Sequence, residues 1–346
     1  MSPGPAPAIA WKPFSTSPEK ASARLRSLLP CRYLREAGWP CEIFAPGNVA
    51  SYELVIFQKA YDEGNIALAK SLIARGVKTV FDLSDNHFYN PNDLPSLRGR
   101  AERLRRMIDT VDAVSVSTPE LAKLIARGNC AVIDDAVPMP DDVALSALSR
   151  LKERLTISRN RPLRVVWYGN AGSEHPPFGL IDLPRVLPHL EALNQQMRVE
   201  LTVISNSEKL FREYAGTVSF PVKYHEWSSA TFGRIFRRQD VCVIPIDVNP
   251  FTACKSNNRL VLSLLMGVPV IADEIPSYQE FRDFVLFAEW PKSLETYAAD
   301  KELGRHHVRE AQRYIRTKYN KKRVVSQWST LFERVLGRKH TEAMVL

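Results

Sequence analysis

The sequence predicts an α/β protein of two doubly wound domains that face each other across a cleft. Three observations carry this. Short runs rich in Val, Ile, Leu and Phe alternate with helix-length segments, the rhythm of βαβ units around parallel sheets. The rhythm pauses once, between Met139 and Pro162, and then restarts without repeating the first half. A chain of 346 residues, 45% hydrophobic and 25% charged, is long enough for two cores.

In the first half, AIAWKP (8–13) reads as a strand, followed by a Ser/Thr/Pro loop and a helix near Ala23–Ala37 that stops at Gly38. CEIFAP (41–46) and YELVIFQKA (52–60) are strands, with a helix near Asn65–Ala74 ending at Gly76. VKTVFDLS (77–84) is a strand, Leu97–Thr110 a basic amphipathic helix and AVSVST (113–118) a strand. PELAKLIARG (119–128) is a helix with Pro in its first turn and Gly after its last, and CAVIDDAVP (130–138) closes the series.

In the second half, LRVVWYG (163–169) is a buried strand, Ile181–Met197 a helix, RVELTVISN (198–206) a strand and PVKYHEW (221–227) a short strand. Ser229–Arg238 is a helix, VCVIPID (241–247) a strand, Leu260–Met266 an apolar helix and PVIAD (269–273) a strand. VLFAEW (285–290) reads as the last strand before helices that run to the end. The expected domains are 1–140 and 163–322, with a linker at 141–162.

Composition removes several classes. Five Cys, an odd number without a C-x-x-C, argue against a disulfide framework or a zinc site and for a reducing cytoplasm. The start, MSPGPAPAIAWKPF, lacks the charged head and apolar core of a signal peptide. The run Leu260–Ala272 is too short to span a bilayer. The net charge of +9 is matched by the segment 305–340, with eleven Lys and Arg against two acids. That run suits a solvated face of terminal helices, the reading we favour, or peripheral contact with an anionic membrane. No aromatic or glycine-rich RNA motif accompanies it, so a nucleic-acid partner is not expected. There is no P-loop, no G-x-G-x-x-G after a strand, no G-x-S-x-G and no D-x-D in strand context.

The stretch from Lys255 to Phe281 is the most informative. Lys255, Ser256, Asn257 and Arg259 stand at the entry of an apolar helix, where unpaired N–H groups already carry partial positive charge. Cations there oppose the helix dipole, so a bound anion, such as a diphosphate, explains them better than helix stability does. Gly169-Asn170-Ala171-Gly172 follows the first strand of the second half and suits backbone approach to a phosphate, or a plain turn.

This stretch resembles the donor-binding unit of GT-B glycosyltransferases of the group 1, family 4-like class. The resemblance rests on Lys255-Ser256 with Arg259, on Gly267-Val268-Pro269-Val270-Ile271-Ala272, and on Tyr278 with Glu280. VKYHEWSSATFGRIFRRQDVCVIPI (222–246) is similar to the strand–helix–strand that precedes this unit. The likeness covers most of 163–335 and, more weakly, 77–140. It implies two Rossmann-like domains, with 323–346 crossing back as a helix towards the first. It implies a metal-independent, hexosyltransferase-like enzyme of polysaccharide or related biosynthesis. No cofactor is expected; a UDP-, GDP- or dTDP-sugar is the expected substrate, and a sugar or lipid-linked molecule the acceptor.

In that picture Lys255 and Arg259 hold the donor diphosphate, with Gly169, Asn170, Ser256 and Asn257 around it. Glu280 contacts the sugar or ribose, beside Tyr278. Trp227, after His225 and Glu226, sits where relatives hold the base, or packs. One departure stands out. Many relatives carry two Glu eight residues apart; the matching positions here are Cys254 and Leu262. In FDLSDNHFYN (81–90), Asp85 and His87 stand at a strand's carboxyl end, where an inverting enzyme places a base and a retaining one a sugar contact. Asp82 reads as a buried hydrogen-bonding residue. Ser15, Thr16 and Ser17 cap the next helix or shape the acceptor side. Two rival readings remain: a degenerate GT-B protein that binds without turnover, and an epimerase or hydrolase of sugar nucleotides.

Overall fold

The computed structural model of the chain describes residues 8–138, 161–174, 176–216 and 218–337. The expected linker lies outside the described residues except for Arg161 and Pro162. The described residues fall into two compact units. The first runs up to Val137 and takes in Cys254–Ser256 and the chain from Lys318 on; the second holds the rest.

The first unit is built on six strands: β1 (Ile9–Pro13), β2 (Cys41–Ile43), β3 (Leu54–Gln58), β4 (Lys78–Leu83), β5 (Ala113–Val116) and β6 (Cys130–Val132). Their order is β2-β1-β3-β4-β5-β6, parallel throughout. A parallel sheet is covered on both faces, which is why β3 reads as unbroken apolar sequence. The two-residue period sorts its side chains. Val55 and Phe57 join Ala10 and Phe81 in one core, beneath helices Glu63–Ala74, Arg100–Thr110 and Pro119–Ile125. Leu54 and Ile56 join Ile9, Trp11 and Val80 in the other, against Leu34 and against Trp328 and Phe332 of helix Lys321–Leu336. Asp62, Thr118 and Asn320 cap three of these helices with side-chain oxygens.

The second unit has β7 (Leu163–Tyr168), β8 (Gly172–Glu174), β9 (Pro177–Gly179), β10 (Val199–Ser205), β11 (Val222–Glu226), β12 (Val241–Ile244), β13 (Val270–Ala272) and β14 (Leu286–Phe287). Six of them form a parallel sheet in the order β11-β10-β7-β12-β13-β14, the doubly wound order 3-2-1-4-5-6 counted within this unit. β8 and β9 form a separate antiparallel hairpin.

Several expectations change. GNAG is the lead-in to the β8–β9 hairpin, where Gly172 and Gly179 have φ of +79° and +99°. A Cβ on Gly172 would stand 1.8 Å from the Phe178 carbonyl oxygen, so crossing backbones demand this glycine. The expected helix 181–197 is a 3-10 stretch, Leu180–Arg185, followed by helix Leu187–Asn194, because Pro184 and Pro188 lack the N–H that a continuous ladder needs. Helix Glu208–Ala215, capped by Ser207, was not expected from the pattern. The strand expected over 130–138 ends at Val132, since Asp134 and Asp135 are engaged by side chains. The helix expected over 229–238 shortens to Phe232–Phe236.

Candidate functional site

In an open parallel sheet, ligands bind beyond the carboxyl ends of strands where the winding reverses. In the second unit that point lies between β7 and β12, and Gly169 and Asn170 are the first residues after β7. Arg259 joins them from the first turn of helix Asn258–Leu265. Its guanidinium carbon lies 5.2 Å from the Trp167 ring centroid and 5.6 Å from that of Tyr168. A Cβ on Gly169 would stand 3.4 Å from that carbon. The Tyr168 hydroxyl donates to the Arg259 carbonyl at 2.7 Å, as does Ser263 at 2.8 Å. The backbone is therefore anchored while the guanidinium lies against aromatic rings, where a planar cation stacks well. Nε and Nη2 of Arg259 are buried and have no hydrogen-bond partner among the described residues. Leaving these two buried donors without an acceptor is costly unless a ligand meets them.

The same helix has Asn257 at its N-cap without a side-chain cap bond. The Asn257 side chain donates to Glu280 Oε1 at 2.8 Å instead, and Tyr314 donates to Glu280 Oε2 at 2.9 Å. Glu280 is thus half-buried and held at both oxygens, with Asn257 beside it. Asn170 is exposed, and its Oδ1 accepts from the Gly172 N–H at 2.8 Å, which turns the chain into the hairpin. Trp227 is half-buried, its ring centroid 6.2 Å from that of Phe232. Tyr278 is 1% exposed, two residues before Glu280, and burial pushes its hydroxyl up to about 12.

Lys255 and Ser256 belong to the first unit. Lys255 Nζ lies 2.7 Å from Asp85 Oδ1, and Lys59 Nζ lies 2.7 Å from Asp85 Oδ2. Burial works against the Asp85 charge, but Lys255 first and Lys59 next outweigh it and hold the carboxyl well below the usual carboxylate range. Asp85 is therefore a fixed anion at neutral pH. His87 Nδ1 is 2.8 Å from the Tyr61 hydroxyl. Burial, then Lys59, brings the imidazole down to about 3, so His87 is neutral at pH 7. Of the two expected groups, His87 keeps an uncharged ring whose proton affinity is low, and Asp85 is committed to two lysines.

Lys59 is the residue the sequence did not mark. It follows β3 at the first unit's own reversal, between β1 and β3, and its φ is +53°. A non-glycine in that region is strained, and such strain concentrates at functional sites. Only its place after LVIFQ could have signalled it.

Beneath this group lies a second network. Arg26, 1% exposed, donates through Nε at 3.1 Å and Nη2 at 2.5 Å to Asp82, and through Nη1 to the Ile133 carbonyl. Ser115 donates to Asp82 at 2.7 Å, so Asp82 is the buried hydrogen-bonding residue expected. Nη1 of Arg26 also reaches Asp135 Oδ1 at 3.4 Å, and Ser256 donates to Asp135 Oδ2 at 2.6 Å. A π-helical turn, Arg24–Leu28, brings Arg26 inward. Ser256 is thereby tied to the interior of the first unit.

In the basic segment, Arg305 and Arg309 pair with Glu302, Arg313 with Glu310, Arg323 with Asp134 and Lys321 with Glu36. No helix among the described residues is long and apolar enough to cross a membrane. No group of His, Cys, Asp and Glu among them is arranged to hold a metal ion.

No protein-family model and no curated protein sequence matches the chain. Solved structures do. HepE of Anabaena, in complex with UDP and glucose, is similar with a TM-score of 0.66 at 15% identity, over 94% of this chain and 99% of that one. A glycosyltransferase from Rickettsia africae is similar with a TM-score of 0.66 at 11% identity, over 95% and 98%. The α,α-trehalose 6-phosphate synthase of Burkholderia multivorans follows with 0.57 at 14%, over 88% and 76%. At these identities the likeness is one of fold, and the fold is that of GT-B glycosyltransferases.

Proposed function

We propose that the protein is a glycosyltransferase that moves a sugar from a nucleotide-sugar donor to an acceptor hydroxyl. The observation that carries this is Arg259, half-buried, whose buried Nε and Nη2 have no hydrogen-bond partner among the described residues, beside Gly169 at the reversal point of the second sheet. A leaving nucleoside diphosphate develops negative charge, and a fixed cation with an uncapped helix N-terminus stabilises it. Arg259 supplies that cation, with the backbone of Asn258–Leu260 and of Gly169 and Asn170 beside it. Glu280, held by Asn257 and Tyr314, is assigned to accept from a ribose or sugar hydroxyl, a role its two carboxylate oxygens support. Lys255 and Ser256 are assigned to the same reaction from their place in the Lys-Ser-x-x-Arg pattern, and Trp227 to the base. Asp85 and His87 serve the acceptor side in the first unit. The UDP bound to the similar HepE makes UDP-sugars the first donors to try.

The test is a thermal-shift panel of UDP, GDP and dTDP and their sugars, on the wild type and on Arg259→Ala. A ligand that binds the folded state alone raises the melting temperature. A rise for one base that disappears in Arg259→Ala supports the donor site; no rise at millimolar ligand removes it. Release of the diphosphate during incubation with acceptor then separates transfer from binding alone. The second outcome is favoured by one observation: Cys254, at a position where many relatives have Glu, is 4% exposed in the apolar core of the first unit.

Cytoplasmic residence and peripheral membrane contact belong to the same reading. Sedimentation with anionic liposomes checks the contact, and salt-insensitive absence from the pellet ends it.

A further inference from the structure

The carboxyl end of the first sheet holds more positive charge than the reading above uses. Lys59 and Lys255 both lie 2.7 Å from an oxygen of Asp85. Lys59 has three N–H donors, and Asp85 engages one of them. Its ammonium also lies 5.3 Å from the Phe14 ring centroid, and Lys20 Nζ lies 5.8 Å from the same ring. Phe14 follows β1, is 42% exposed, and donates its N–H to the Gln58 carbonyl at 2.9 Å, which joins the two strand ends at the reversal. On the other side Arg100 donates to the carbonyls of His87 at 3.0 Å and Tyr89 at 2.7 Å, and so pins the loop that carries His87. Three cations, Lys59, Lys255 and Arg100, therefore act on one carboxylate and one imidazole, with Lys20 on the Phe14 ring, at a point where such sheets bind ligands. The backbone at Lys59 is itself strained, with φ of +53°.

We infer that this end of the first unit binds an anionic group of the acceptor, a phosphate or a carboxylate, with Lys59 as its principal contact and Lys20 and Lys255 beside it. Asp85 acts as the internal counter-ion that holds the lysines until that group arrives. Rigid ammonium donors next to an aromatic ring suit a sugar that carries such a substituent, since the ring covers its C–H face. The inference rests on the acceptor-side role proposed for Asp85 and His87.

The test measures binding of inorganic phosphate, glucuronate and uncharged glucose by titration calorimetry and by line broadening in ligand NMR. It is done in an Arg259→Gln background, so that the second unit's cation does not contribute. Phosphate or glucuronate binds and glucose does not; the stronger of the two names the source of the charge. Lys59→Met weakens it at least about tenfold, the loss of one charge-assisted hydrogen bond. Asp85→Asn strengthens it several-fold, because the competing internal anion is gone; a purely structural Asp85 predicts no gain. Equal response to glucose and the two anions overturns the inference, as do unaltered binding in Lys59→Met and no binding by any probe. UDP binding to the otherwise wild-type Lys59→Met protein separates the two readings. If UDP still binds while no anion ever does, the donor site stands and this inference falls.

Discussion

Lys255 Nζ and Asp85 Oδ1, 170 residues apart in sequence, meet at 2.7 Å in the first unit. Asp85 is 14% exposed and Lys255 28%, so water screens the pair only in part. Lys59 holds the other oxygen and keeps the carboxylate charged when Lys255 is removed.

Lys255→Met is therefore expected to cost about 1 kcal/mol in urea unfolding at pH 7, the scale of a partly screened pair with one partner kept. Adding Asp85→Asn should make the two effects non-additive in a double-mutant cycle. Strict additivity would show that the two side chains do not interact in solution.

His87 determines part of the pH response. Burial and Lys59 bring it from 6.5 down to about 3 in the folded chain. Below its unfolded value the unfolded chain binds more protons, so stability from His87 is complete above about pH 6.5 and is lost as the pH falls towards 3. Asp85, also lowered, acts in the same direction in a lower window, with its contribution lost as the pH falls below its unfolded value of 3.8. The melting temperature should fall between about pH 6.5 and 4, and His87→Gln should flatten that fall. A His87 Cε1 proton signal that titrates near 6.5 would contradict the assignment.

Arg26 and Asp82 are both buried, at 1% and 0% exposure. Removing one partner strands the other, so Arg26→Met should cost about 3–5 kcal/mol, read from the urea midpoint. Combining it with Asp82→Leu should recover part of the loss, because the Asp82 charge is then gone, while Asp135 loses its cation but keeps the bond from Ser256. A combined variant that loses the sum of both would mean that packing, not charge, dominates here.

Gly172→Ala should destabilise the hairpin by more than the ~1–3 kcal/mol of a strained backbone alone, because the added Cβ would also stand 1.8 Å from the Phe178 carbonyl oxygen. Gly169→Ala should be close to neutral in the unliganded protein, its Cβ meeting nothing nearer than 3.4 Å. Faster amide exchange over 172–179 in the Gly172 variant, and unchanged exchange in the Gly169 variant, is the expected pattern.

Trp328 stands with its ring centroid 5.4 Å from that of Trp11, and both are 0% exposed. Trp328→Ala should cost about 3–5 kcal/mol, measured on the same unfolding curves. A small loss would mean that helix Lys321–Leu336 contributes little to the first core.

Much of the α/β pattern was legible along the chain. Parallel strands buried on both faces write themselves as continuous apolar runs, and LVIFQ, LRVVWY and VCVI are found where those runs predict. Helix ends marked by Pro119, or by Gly76, were legible for the same local reason: caps and breakers act within a few residues. Helix Glu208–Ala215 was not, since it is only eight residues long and buries only Ala215 fully. The glycines of GNAG could not be told from a phosphate loop, because the backbone that Gly172 must clear belongs to Phe178.

The candidate residues divide along the same line. The chemistry of Lys255, Arg259, Asp85, His87 and Glu280 as charged or titratable groups at strand and helix ends was determined by sequence, because residue type and local element are local facts. Their partners were decided by the tertiary structure alone. Arg259 lies on Trp167 and Tyr168, Glu280 between Asn257 and Tyr314, and Asp85 between Lys59 and Lys255. Those pairings set which group is charged and which is neutral, and they join residues far apart in the chain. The field at a side chain depends on distances in space, and no periodicity along the sequence encodes them.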